Sequence, residues 1–147
     1  MNYTNLLRGL VFTLISSQAV GMTVTPSELE CLAKNVYFEA RGESLKGQVA
    51  VIQVTLNRVK AKGFPKTICG VVYQSHQFSW TLTKPKIKDW KSYNAILSLT
   101  KNVVRGNVKA DVTKGSTFYH ATYMKPYWSK HFKQVTTIGN HTFYREV

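Results

Sequence analysis

Acidic residues are scarce in this chain: its 147 residues hold seven Asp and Glu against twenty Lys and Arg, a formal net charge of +13. Such an excess of cations implies a polyanionic partner, whether nucleic acid, teichoic acid, an acidic glycan or an anionic membrane, and it makes each carboxylate conspicuous. Cysteine is scarcer still. Cys31 and Cys69 are too few for a disulfide-rich scaffold, and their spacing excludes a C-x-x-C zinc or redox pair. Residues 9–15 form an apolar run too short and too soon interrupted for an ordinary transmembrane helix. Internal repeats, heptads and a phosphate-cradling glycine loop are missing as well. With 44% hydrophobic and 12% aromatic residues, disorder and low complexity are excluded, and the length suits one compact domain.

The first eight residues carry one positive charge and no acid, the apolar run follows, and it weakens through small residues up to Met22. That is the layout of a secretory leader. Residues 1–24 therefore read as a signal peptide or signal anchor, and residues 25–147 as the domain it exports to the periplasm or cell wall. The leader is the only contact with a membrane that the sequence suggests. Export would also let Cys31 and Cys69 pair, which the cytosol opposes.

Thr25-Pro26-Ser27-Glu28 combines a capping residue, a Pro at the first helical position and a Glu three residues after the cap, the signature of a helix start. Leu29, Leu32, Ala33, Val36, Tyr37 and Ala40 then recur at helical spacing and mark a buried stripe. Glu39 lies beside that stripe, half in the core and half in whatever groove the helix borders. Gly42 can end this helix and Ser44 can cap the next, whose face of Leu45, Val49, Ile52, Leu56 and Val59 fits a central core helix stopping at Lys62-Gly63. Asn57 and Arg58 near its end are expected to hydrogen-bond a neighbouring loop. A short helix is expected over 67–73, a polar and aromatic loop over 74–83, and a basic loop over 84–88. Asp89 caps a further long helix closed by Arg105-Gly106. After Gly115 the residues turn aromatic and β-branched, with extended structure over 117–123 and strands over 135–138 and 141–144 around a Gly139-Asn140 turn. Helices first and a small antiparallel sheet last make an α+β domain.

Glu39 and Glu43 are the first candidate constellation. Partial desolvation keeps a carboxyl group protonated to higher pH, which suits a general acid, and a second carboxylate could act as base or nucleophile in glycoside cleavage. A pair at i and i+4 on one helix, however, gives no two-sided grip on a sugar. His76, His120, His131 and His141 could supply zinc ligands, yet no H-E-x-x-H or comparably tight spacing occurs, so neither metal nor cofactor is expected. No nucleic-acid-binding motif appears, and the leader points away from such a partner.

The blocks Tyr37-Phe38-Glu39-Ala40-Arg41-Gly42-Glu43, Gly47-Gln48-Val49-Ala50-Val51, Leu56-Asn57-Arg58-Val59 and residues 64–74 follow one another in order. With Phe78-Ser79-Trp80, residues 118–123, Pro126-Tyr127-Trp128 and residues 138–144, they resemble the cell-wall hydrolase family typified by the spore cortex-lytic enzymes of the SleB type. The resemblance runs from Cys31 to Tyr144. It implies a lysozyme-like or resuscitation-factor-like single domain that cleaves peptidoglycan between N-acetylmuramic acid and N-acetylglucosamine, as a lytic transglycosylase or muramidase. By the same resemblance Glu39 is the catalytic acid, supported by Glu43 and Arg41. Ser79, Trp80, Tyr119, His120, Tyr123 and Trp128 are expected along the substrate groove. Peptidoglycan strands and anionic wall polymers are the expected partners of a monomer. The short chain and its leader are expected of a phage endolysin or Gram-negative member rather than a spore enzyme. A zinc-dependent N-acetylmuramoyl amidase using the histidines, or a non-catalytic wall-binding module, is the alternative.

Overall fold

The computed structural model describes residues 23–147, so the expected leader lies outside the described residues except for its last two. The elements run α1 (Pro26–Ala40), α2 (Leu45–Lys60), α3 (Ile68–Val72), α4 (Trp80–Thr83), α5 (Trp90–Val104), β1 (Phe118–Ala121), a 3-10 turn (Tyr127–Lys130), β2 (Lys133–Ile138) and β3 (His141–Arg145). Helices precede strands, and the domain is α+β.

The start of α1 is a complete capping box. The Thr25 side chain accepts the Glu28 N–H at 3.3 Å, and the Glu28 carboxylate accepts the Thr25 N–H at 3.4 Å. The other Glu28 oxygen takes the Ile68 N–H at 3.0 Å, so one side chain caps α1 and holds the start of α3. A Cys31–Cys69 disulfide ties the same two helices together.

Helix α2 is buried on nearly every side because it lies between two layers. Val49, Val51, Ile52 and Val59 join the core shared with α1, α3 and α5, while Ala50 and Val54 pack on Ile138 and Phe143 of the sheet. The unbroken buried stretch from Val49 to Thr55 is what that central position requires. Its buried Gln53 donates to Ala110 O at 2.7 Å and accepts the Val112 N–H at 2.9 Å, which satisfies the amide and pins the connection from α5 to β1. The sheet has the order β1-β3-β2, antiparallel throughout, with Tyr119 opposite Phe143 and a one-residue irregularity at Val135.

Two local expectations differ from the structure. Helix α2 stops at Lys60, where Ala61 turns extended, before Gly63 is reached. The stretch expected as a loop over 74–83 ends in the helical turn α4, whose Trp80 donates its indole N–H to Asn35 on α1 at 3.0 Å. That long-range bond organises four residues whose local sequence gives no helical signal.

Candidate active site

Glu39 leaves the last turn of α1 with its carboxylate in a cleft of about 620 Å³. The opposite wall comes from the last third of the chain. Tyr119 of β1 donates its hydroxyl to Glu39 Oε2 at 3.0 Å. Burial raises the Glu39 pKa above the usual carboxylate range, and the Tyr119 bond and the Arg58 charge draw it partly back. The Tyr119 phenol is itself pushed well above its ordinary value, first by desolvation and then by the charge of Glu39, so it remains a donor. With Oε2 occupied, Oε1 is the oxygen left to carry a transferable proton.

Arg58 is 4% exposed and projects from α2 towards the same cleft. Its Nε donates to Thr117 O at 2.6 Å, and its guanidinium carbon stands 5.5, 5.5 and 5.7 Å from the ring centres of Phe64, Phe78 and Phe118. Desolvation lowers its pKa, opposed by Tyr119 and Glu39, and the three ring faces provide a site in which a buried cation is tolerated. His120 contacts Ala121 O through Nδ1 at 2.8 Å and the Tyr144 hydroxyl through Nε2 at 3.0 Å. A carbonyl can only accept, so the neutral ring carries its proton on Nδ1. His141 has its pKa lowered, chiefly by burial, with Glu43 opposing.

Ser79, Tyr119, His120, Tyr123 and Trp128 line the cleft together with Glu39. Trp80 does not. It stacks on Phe38 at 4.9 Å, turned by its bond to Asn35, and lines a neighbouring groove. Glu43 and Arg41 also stand away from the cleft. Because α1 stops at Ala40, Glu43 lies in the turn before α2, where its carboxylate accepts the Asn140 N–H at 3.2 Å and the Asn140 side-chain amide at 3.0 Å. It holds the β2–β3 turn and leaves Arg41 alone, whose guanidinium lies over the Tyr37 ring at 4.9 Å.

The family described as Cell Wall Hydrolase matches residues 42–144. The chain belongs to the cell wall hydrolase family. Over 121 residues the chain is 30% identical to the spore cortex-lytic enzyme of Bacillus cereus and 29% identical to that of Bacillus subtilis. Each match takes in 80% of this chain but 44% and 37% of the relative, so the chain spans less than half the length of these curated relatives. Among solved structures, the catalytic domain of the Bacillus cereus SleB protein is similar at a TM-score of 0.67 and 27% identity, covering 84% of this chain and 93% of that one. The catalytic domain of a germination-specific lytic transglycosylase, SleB of Bacillus anthracis, has the same score and identity and covers 82% and 96%. The family match begins just past Glu39, so the placement of that residue in the cleft rests on the geometry above.

Arg58 and His141 are among the cleft residues that the sequence did not place in the groove, His141 having been named there only as a zinc candidate. The expected loop bond of Arg58 is present, at Thr117, and so is that of Asn57, at Ser116 O. What went unread was the proximity of Arg58 to the acid. The available signal was a cation next to Val59 and one turn after Val54 on the largely buried stretch of α2. Of the four histidines, His76, His120 and His141 line the cleft, whereas His131 stands against Tyr127 at 4.9 Å. Among the described residues no three His, Cys, Asp or Glu side chains gather as a metal site, and no helix is long and apolar enough to cross a membrane.

Proposed function

We propose that this cell wall hydrolase acts outside the cytoplasmic membrane as a lytic transglycosylase, cutting the peptidoglycan strand between N-acetylmuramic acid and N-acetylglucosamine with Glu39 as acid and then base. One observation carries the reading: among the described residues, Glu39 is the only carboxylate lining the cleft, and it is partly desolvated and bonded by Tyr119. Hydrolases with two carboxyl groups set them roughly 5–5.5 Å apart when retaining and 6.5–9.5 Å apart when inverting. Glu43, the second candidate in the sequence, is engaged with Asn140 instead. A mechanism that uses one carboxylate twice fits this cleft. The lytic transglycosylase activity of the Bacillus anthracis relative supports the same reaction type, and the Cys31–Cys69 disulfide supports export.

The protonated Glu39 gives its proton to the glycosidic oxygen as the C1–O bond of the muramic residue breaks. The departing sugar leaves with a free 4-hydroxyl, and positive charge develops on C1 and the ring oxygen. The 6-hydroxyl of the same muramic residue then closes on C1, and Glu39, now a carboxylate, takes its proton. No water is consumed and the acid is restored. Tyr119 holds Oε2 through both halves, and the fixed charge of Arg58 favours the carboxylate between them. The exposed ring of Tyr123 offers a face for sugar stacking, and the half-buried Trp128, packed on Phe118, His120, Phe132 and Tyr144, shapes the wall beside it.

Mass spectrometry of fragments released from purified peptidoglycan tests this. Anhydromuramic ends are expected from the wild type and none from Glu39→Gln, with the wild-type rate unchanged by EDTA. Reducing muramic ends would mean hydrolysis, and free stem peptides or an EDTA-sensitive rate would overturn the assignment in favour of an amidase.

A further inference from the structure

A second groove, of about 510 Å³, adjoins the Glu39 cleft, and Phe38 lines both. Its walls are aromatic. Trp80 stacks on Phe38, Tyr73 meets Trp80 edge-on at 5.8 Å, and Trp90 presents a ring that is 59% exposed. Its rim is cationic: Lys34, Lys84 and Lys86 line it, and among the described residues no carboxylate does. The wall is fixed before any ligand arrives. Asn35 holds the Trp80 indole, and Lys84 takes a left-handed conformation, φ +46, that lets its N–H bond Trp80 O at 2.9 Å. That conformation suits glycine better than lysine, so the charge is kept there at some local cost.

Exposed aromatic faces beside three ammonium groups suit a ligand with a small apolar body and more than one carboxylate. We propose that this groove receives the acidic stem peptide borne by the strand whose sugar bond lies at Glu39, an inference that rests on the glycan-cleaving reading above. Two observations select this occupant. A continuing sugar chain is largely neutral and makes little use of three lysines, whereas a stem peptide is short, small-chained and carries several carboxylates. The peptide also branches from the muramic residue itself, and Phe38, which lines both, makes the groove the cleft's neighbour. The groove would thus select strands that still carry their stems, and the selection would weaken with salt.

The test compares kcat/KM on soluble strands with intact stems and on the same strands stripped by an amidase. The proteins are wild type, Lys34→Glu/Lys86→Glu and Trp90→Ala. Wild type is expected to favour intact strands about tenfold at low salt, the combined effect of a few exposed ion pairs and ring contacts. Both variants should lose that preference through KM and cut stripped strands at the wild-type rate. Equal wild-type rates on both substrates, or variants slowed alike on both, would overturn the proposal. If neither substrate yields cut glycan ends, the cleavage reading itself has failed, and calorimetry then decides the groove alone. Free stem peptide should bind Glu39→Gln and be lost when Lys34→Glu/Lys86→Glu is added; no binding to Glu39→Gln would overturn it.

Discussion

Replacing Tyr119 with Phe removes one oxygen from the site and little else. The ring keeps its neighbours His141, at 5.1 Å, and Phe143, at 5.6 Å, so the fold is expected to survive. The 3.0 Å bond to Glu39 Oε2 is lost. A hydrogen bond to a charged group contributes about 1.5–3 kcal/mol, and most of that loss falls on the ionised carboxylate, because a protonated carboxyl is the weaker acceptor. The sign follows. Tyr119 holds the Glu39 pKa down against burial, so without the hydroxyl the acid keeps its proton to higher pH, and the alkaline limb of the pH–kcat/KM profile moves up. In the proposed mechanism the second half-reaction suffers, since the carboxylate that accepts the 6-hydroxyl proton there is less well held and aimed. A loss at the low end of that range corresponds to about a tenfold fall in kcat. Initial rates of anhydromuramic end release, measured from acid to mildly alkaline pH, report both effects. An alkaline limb that stays in place or moves down, with kcat unchanged, would refute the role given to this hydroxyl.

Glu39→Gln should be more stable than wild type at neutral pH. The folded-state pKa is raised, so the wild-type domain is fully stable below the ordinary Glu value of about 4.3 and loses that contribution as pH rises through the folded value. Thermal melts should therefore show a gap in favour of Gln that is absent in acid and grows with pH; a gap independent of pH would contradict the burial argument. Gly139→Ala combines a backbone at φ +55 with a Cβ that would collide with Glu43 Oε2, and should cost about 1–3 kcal/mol in urea unfolding, with the β2–β3 turn losing amide protection first. Reducing Cys31–Cys69, which are 38 residues apart, should lower stability by about 4 kcal/mol on the chain-entropy estimate, read as a fall in the urea midpoint.

The helical half was legible because its signals are local. The Thr25 capping box, the Ser44 and Asp89 caps and the apolar stripe of α1 each lie within a few residues of what they determine. The hairpin around Gly139-Asn140 was legible for the same reason. What the sequence could not display were pairings across the chain. Trp80 reads as an exposed ring in a loop until Asn35, 45 residues earlier, turns it into the neighbouring groove. Glu43 reads as the partner of Glu39 until Asn140, 97 residues later, takes its carboxylate. Arg58 resembles an ordinary helix-end cation until Phe64, Phe78 and Phe118 converge on it from three segments. In each case the deciding atom is brought in by tertiary packing, which residue type and spacing do not encode.

Glu39 is in place once α1 is capped, but the phenol that tunes it arrives 80 residues later on β1. Synthesis proceeds from the N-terminus, so a chain interrupted before the sheet carries Glu39 without its hydrogen-bond partner or the far wall of its cleft. The disulfide, set wholly within the first half, cannot substitute for that late closure. Under the proposed mechanism, docking of the sheet on α2 is thus the step that completes the chemistry as well as the fold.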